Sequence, residues 1–234
     1  MSHKWITGIL MGLLVSIVFT LLCPVAQAGP QLVCWPFDTG GARSLPWGGN
    51  GWHDALPNYD LSRLGTDTIA LLSPEVQVLA RMETLRRAAI YAAKSPQAAK
   101  ELFARLEERT GSAKSPAKSD SLVLFDLGYF NEAYRQASGV AHSSMESGTK
   151  LNGYELVQRA LAARGSDAQM EFAAALVASA VGQNDAANQY LAKAAASTVD
   201  GSLLARNLLS HCHLFRLQAG TLAELRSRLA ATKS

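Results

Sequence analysis

From about residue 60 to the end, apolar residues return every three or four positions, and that period leaves room for little besides helices. Ser73 and Pro74 supply a start signal, and Val76, Leu79, Met82, Leu85 and Ala89 then form one apolar stripe running to Lys94. Ser95 caps a second helix from Pro96 to about Arg109, which buries Ala99, Phe103 and Leu106. Further helices are predicted at 121–127, 129–140, 154–164, 168–181, 186–196, 203–217 and 222–230. Polar loops rich in Gly, Ser and Lys are expected at 110–120 and 141–152. No segment alternates as a strand would. Short alanine-rich helices joined by short turns favour antiparallel neighbours, so the fold class is all-α, built of antiparallel helical hairpins over residues 59–234.

Residues 29–58 obey a different rule. Four prolines and six glycines in this block exclude a long helix or a central strand. Trp35, Trp47 and Trp52 also lie here. Disordered segments are poor in aromatics, so this irregular Pro/Gly/Trp-rich segment is expected to pack on the helical domain.

Residues 1–28 read as a cleaved signal peptide. Lys4 precedes an apolar run from Ile6 to Cys23, followed by Pro24 and the small-x-small triplet Ala26-Gln27-Ala28. The run is 18 residues long, enough for an uncleaved membrane anchor as the alternative. Leu22 and Thr20 are wrong for acylation at Cys23. The chain is therefore expected to be exported, to the periplasm or the extracellular space, with the membrane involved only if the signal is retained. Losing Lys4 leaves 21 basic against 19 acidic residues, a balance that gives no footing for nucleic acid as a partner. Two cysteines remain, Cys34 and Cys212, in a compartment where disulfides persist. A bridge between them would be worth about 5 kcal/mol in the chain-entropy model; two separately buried thiols are the other reading.

Two segments share a pattern. Gly128 is followed five residues on by Ala133, and Gly182 by Ala187, with Leu191 and Ala194 continuing the same face. Glycine closes an interhelix turn, and the small residue lets the second helix approach the first. Ala99 and Phe103 fit that face one step earlier in the chain. Here the chain resembles the tetratricopeptide repeat, a helix–turn–helix unit used as a protein-binding scaffold, and the step from Ala99 to Ala133 equals one repeat of that family. The next step, from Ala133 to Ala187, is more than half as long again, so the period is irregular. Ala175 stands where a first helix of that family usually has Gly. The resemblance covers roughly residues 75–230 and implies that a protein or peptide binds in a groove; Tyr129, Tyr134, Arg135 and Tyr190 are candidate groove contacts.

Reactive groups do not assemble in the sequence. His211 and His213 point about 200° apart on a helix and cannot share a metal ion. Cys34 with His53, His211 or His213 would be a thiol–imidazole pair lacking any oxyanion loop. Gly48-Gly49-Asn50-Gly51 has neither the preceding strand nor the following Lys-Ser/Thr of a phosphate loop. Adjacent Glu107 and Glu108 do not converge on one bond. No catalytic residue, metal or cofactor is assigned. The expectation is a non-enzymatic helical scaffold for protein or peptide binding. Its rivals are an envelope carbohydrate-binding protein or hydrolase using Trp35, Trp47 and Trp52 with Asp38, His53 and Asp54, and a purely structural bundle.

Overall fold

The computed structural model describes residues 31–112, 118–139 and 152–231, and every regular element among them is helical. A 3-10 turn at Leu61–Arg63 leads into α1 (Leu64–Ala70). There follow α2 (Val78–Ala92), α3 (Pro96–Ser112), α4 (Lys118–Ser138), α5 (Gly153–Arg164), α6 (Ala168–Ala180), α7 (Asn184–Ser197), α8 (Leu203–His211) and α9 (Leu222–Ala231), with a second 3-10 turn at Cys212–Phe215. No helix among the described residues is long and apolar enough to cross a membrane. The signal segment 1–28 and residues 141–151 of the second predicted loop lie outside the described residues. The first predicted loop contracts, because α3 continues to Ser112 and α4 begins at Lys118.

Several boundaries match their local chemistry. Ser95 Oγ accepts the Ala98 amide at 3.3 Å, the cap predicted for α3. Asn152 and Asp167 cap α5 and α6 with side-chain oxygens on the second and third amides. Gly182, at φ +81°, ends α6, and the Gln183 amide reaches back to the Ala178 carbonyl at 2.9 Å. This tight turn folds α7 back along α6, with Ala187, Leu191 and Ala194 buried.

Gly128 is a correction. It does not end a helix; α4 runs through it without a break, replacing the two helices predicted at 121–127 and 129–140. Its function is approach. A Cβ on Gly128 would lie 2.7 Å from the Gly153 carbonyl and 2.8 Å from Leu156 Cβ, while one on Gly153 would meet the Gly128 carbonyl and Glu132. The pairs 128–156 and 132–153 run in opposite directions, so α4 and α5 are an antiparallel hairpin with glycine on both sides of its seam. Ala133, Ala99 and Phe103 are buried as expected. The helix predicted at 203–217 also divides. It tightens to 3-10 at Cys212 and stops at Arg216, which is left-handed at φ 59°.

α2 departs most from its predicted amphipathic form. It starts at Val78, and every residue but Arg87 is buried, including Arg81, Glu83 and Arg86. The predicted start, Ser73 to Val76, instead wraps round the Arg81 guanidinium, which donates to the carbonyls of Leu72, Ser73 and Val76. Arg81 Nη1 also holds both oxygens of Asp126 on α4, at 2.8 and 2.6 Å. The bond set uses the full donor fork of the guanidinium, which is what burying such a charge requires. The helix is enclosed because its outer face is covered by the N-terminal segment.

Candidate functional site

Residues 31–58 form a strap laid across α2 and α8. Proline and glycine limit its own backbone pairing to local turns such as Gly48 to Asp54 and Ala42 to Thr39, so the helices satisfy many of its other amides and carbonyls. Glu83 and Arg86 are the centre of that arrangement. Arg86 Nε and Nη2 each donate to Glu83 at 2.8 Å, and Nη1 donates to the Val33 carbonyl at 2.8 Å. Glu83 also accepts the Phe37 amide at 3.0 Å and Arg87 Nε at 2.7 Å. Arg87 Nη1 reaches the Leu45 carbonyl at 2.6 Å. Tyr91 Oη donates to the Pro46 carbonyl and accepts the Leu56 amide. On α8, Asn207 Oδ1 accepts the Asp38 amide while its Nδ2 donates to the Asp38 carbonyl, at 3.0 and 2.9 Å. Gln136 of α4 accepts the Leu32 amide at 2.7 Å.

These contacts read main chain. Side chains then fill the space beneath, with Leu32, Val33, Phe37 and Leu45 buried in the core. Two of the predicted tryptophans are packing groups. Trp35 meets the His213 ring edge-on at 4.4 Å. Trp47 lies edge-on to Tyr91 at 5.5 Å, with Arg86 and Arg87 at 5.2 and 5.6 Å from its ring centre. That ring faces the surplus positive charge of two arginines on one carboxylate. Trp52 is 37% exposed and touches the His53 ring at 3.5 Å, on a glycine turn braced by Asp54.

The remaining predicted site residues do not meet. Cys34 and Cys212 are free thiols, so the candidate bridge is not formed. Cys212 Sγ donates to the Leu209 carbonyl at 3.1 Å, within its own helix end. Burial pushes the Cys34 thiol up against the pull of Arg86, which disfavours the nucleophilic thiolate. His53 stays with Trp52. Asp38 pairs with Arg206 at 2.8 Å and turns the strap by accepting the Gly40 amide; those bonds hold its carboxyl below the usual range. Tyr129 is wholly buried, which corrects its assignment as a groove contact, and burial raises its phenol. Tyr134 packs against Phe103 of α3 and Phe130 of α4, and Arg135 pairs with Glu132. Tyr190 is half-buried beside Gln158 and Lys193. Among the described residues, no three His, Cys, Asp or Glu side chains could hold a metal ion.

Open clefts also occur among the described residues. One of ≈ 390 Å³ lies by Ile69, Arg105, Arg109 and Val123, but its arginines are paired with Glu101 and Asp126. Another, of ≈ 340 Å³, lies where α6 and α8 begin, beside the exposed Val199. Neither brings acid, base and nucleophile together.

Sequence reasoning missed Glu83, Arg86, Arg87, Tyr91 and Asn207. Their signal was present: Glu83, Arg86 and Arg87 sit three and four apart inside an otherwise apolar helix, where unpaired charge would be costly. The chain matches no family model, no curated protein and no solved structure.

Proposed function

We propose that this chain is an exported, non-enzymatic helical scaffold of tetratricopeptide-like kind that binds a protein or peptide in the periplasm or extracellular space. The observation that carries this reading is the clamp on α2 and α8. It grips an extended chain through Val33, Phe37, Asp38, Leu45 and Pro46 main-chain atoms. A face that recognises backbone suits extended peptides of varied sequence. The strap is its resident occupant, and a partner competes for the strap's less deeply seated stretches or docks beside them. The Trp-based carbohydrate reading has less support, because Trp35 and Trp47 are engaged in packing and Trp52 stands alone.

The test is titration of the full exported chain with an immobilised library of extended peptides, read by intrinsic Trp emission, beside affinity capture from envelope and culture fractions. Saturable peptide binding that shifts Trp35 and Trp47 emission supports the reading. Saturable glycan binding lost in Trp52→Ala, with no peptide bound, would replace it.

A further inference from the structure

His211 closes α8 directly beneath the strap. It is 2% exposed, and its ring lies parallel to Phe37 with centroids 4.8 Å apart. Phe172 of α6 meets the same ring edge-on at 5.8 Å. Nδ1 is 2.9 Å from both the Asn207 carbonyl and Ser210 Oγ; the carbonyl can only accept, which favours the neutral tautomer with its proton on Nδ1. Nε2 is buried without a well-aligned hydrogen bond, and the Trp35 main chain is the strap's polar group against the ring.

The groups around the ring are already engaged. From α2 it faces Glu83, whose carboxylate holds Arg86, Arg87 and the Phe37 amide. Tyr129 of α4 lies by the same carboxylate. From the strap comes the Trp35 main chain, flanked by the Cys34 thiol and by Asp38, which is paired with Arg206. The 3-10 turn contributes His213, and a positive charge there repels another. α6 presents Phe172, while its Glu171 faces Lys193 and Asp167.

From this geometry we propose that His211 is a proton-operated latch: neutral, it seats residues 35–38 of the strap; protonated, it loosens them from α2 and α8. An imidazolium stacked on Phe37 would exchange hydration for apolar surface, and the nearest carboxylate is already saturated. Burial draws the imidazole below its usual range, although the Asn207 and Trp35 main chain and Glu83 pull the other way. The seated state therefore binds its proton less readily than the loosened one. The stabilisation is complete above about pH 6.5, the ordinary histidine value, and declines as pH falls through it toward the seated value. One proton is linked to opening, so the opening equilibrium rises by at most about tenfold per pH unit inside that window. Leu32, Val33 and Leu45 stay in the core, which confines the opening to the stretch between them. The inference rests on the proposed function only in that a loosened strap bares the clamp.

The test uses the full chain with no peptide present, so it stands or falls apart from peptide binding. Amide hydrogen exchange at Phe37 and Asp38, corrected for intrinsic rate, is followed from pH 7.5 to 5.5 beside an NMR titration of the histidine ring protons. His211 is expected to titrate below the ordinary value, with opening at both amides rising as pH falls below 6.5, by at most about tenfold per pH unit, while α6 stays closed. His211→Phe keeps the stack and should flatten the profile; His53→Gln, at a ring that stays with Trp52, should leave it unchanged. A wild-type profile without slope, or a His211 that titrates at or above the ordinary value, overturns the latch. The ring titration decides the matter even if His211→Phe fails to fold.

Discussion

Replacing Gly128 by alanine separates two opposite expectations. Helix propensity alone favours alanine by about 1 kcal/mol in a helix interior. The seam with α5 opposes it. The new Cβ would lie 2.7 Å from the Gly153 carbonyl, 2.8 Å from Leu156 Cβ and 3.0 Å from the Val157 amide nitrogen, where ordinary contact begins at 3.4 Å. Two of these neighbours are backbone, so no side-chain rotation relieves them, and α5 must recede by roughly 0.7 Å. Overpacking of this kind costs about 3 kcal/mol at the upper end of its usual range. The net expectation is a loss of about 2 kcal/mol, or a fall in Tm of roughly 4–8 °C for a chain of this size. Gly111, near the end of α3, has nothing within 4 Å of its Cβ position, so Gly111→Ala should hold or raise stability. Urea melts followed by far-ultraviolet circular dichroism measure both variants. If Gly128→Ala stabilises the protein as Gly111→Ala does, the close-seam argument is wrong.

Further substitutions probe the interior and the strap. Asp126→Asn leaves Arg81 buried without its counter-charge and should cost about 3–5 kcal/mol in the same melts, while the paired change Arg81→Met with Asp126→Leu should cost less. Trp47→Ala loses contacts with Tyr91, Arg86 and Arg87 and should cost about 2–3 kcal/mol, whereas Trp52→Ala should stay within about 0.5 kcal/mol; equal costs would contradict the division between packing and exposed tryptophans.

Helix content was legible because it depends on local period. The α3 cap at Ser95 and the turn at Gly182 were readable for the same reason: each is satisfied by atoms a few residues away. Gly128 was misread because a glycine in a helical pattern looks alike whether it ends the helix or faces another one. The partner that distinguishes them, Gly153, is remote in sequence and follows residues outside the described set. The irregular segment was expected to pack, and it does, but its seat could not be placed. Glu83 and Arg86 satisfy an amide and a carbonyl far off along the chain, at sequence separations of 46 and 53. Charge within an apolar helix was the available sign, and it pointed inward only once a covering segment was known. Tyr129 shows the converse error, an aromatic taken as a contact for a partner when it belongs to the core.

The central claim is that the strap is held to the helices by its own main chain. Amide hydrogen exchange of the full chain at neutral pH tests it most directly, at Leu32, Phe37, Asp38 and Leu56, whose amides go to Gln136, Glu83, Asn207 and Tyr91. The account predicts protection at these four amides comparable to that in the middle of α2. Exchange at the rate of a free chain, while α2 and α6 remain protected, would contradict it.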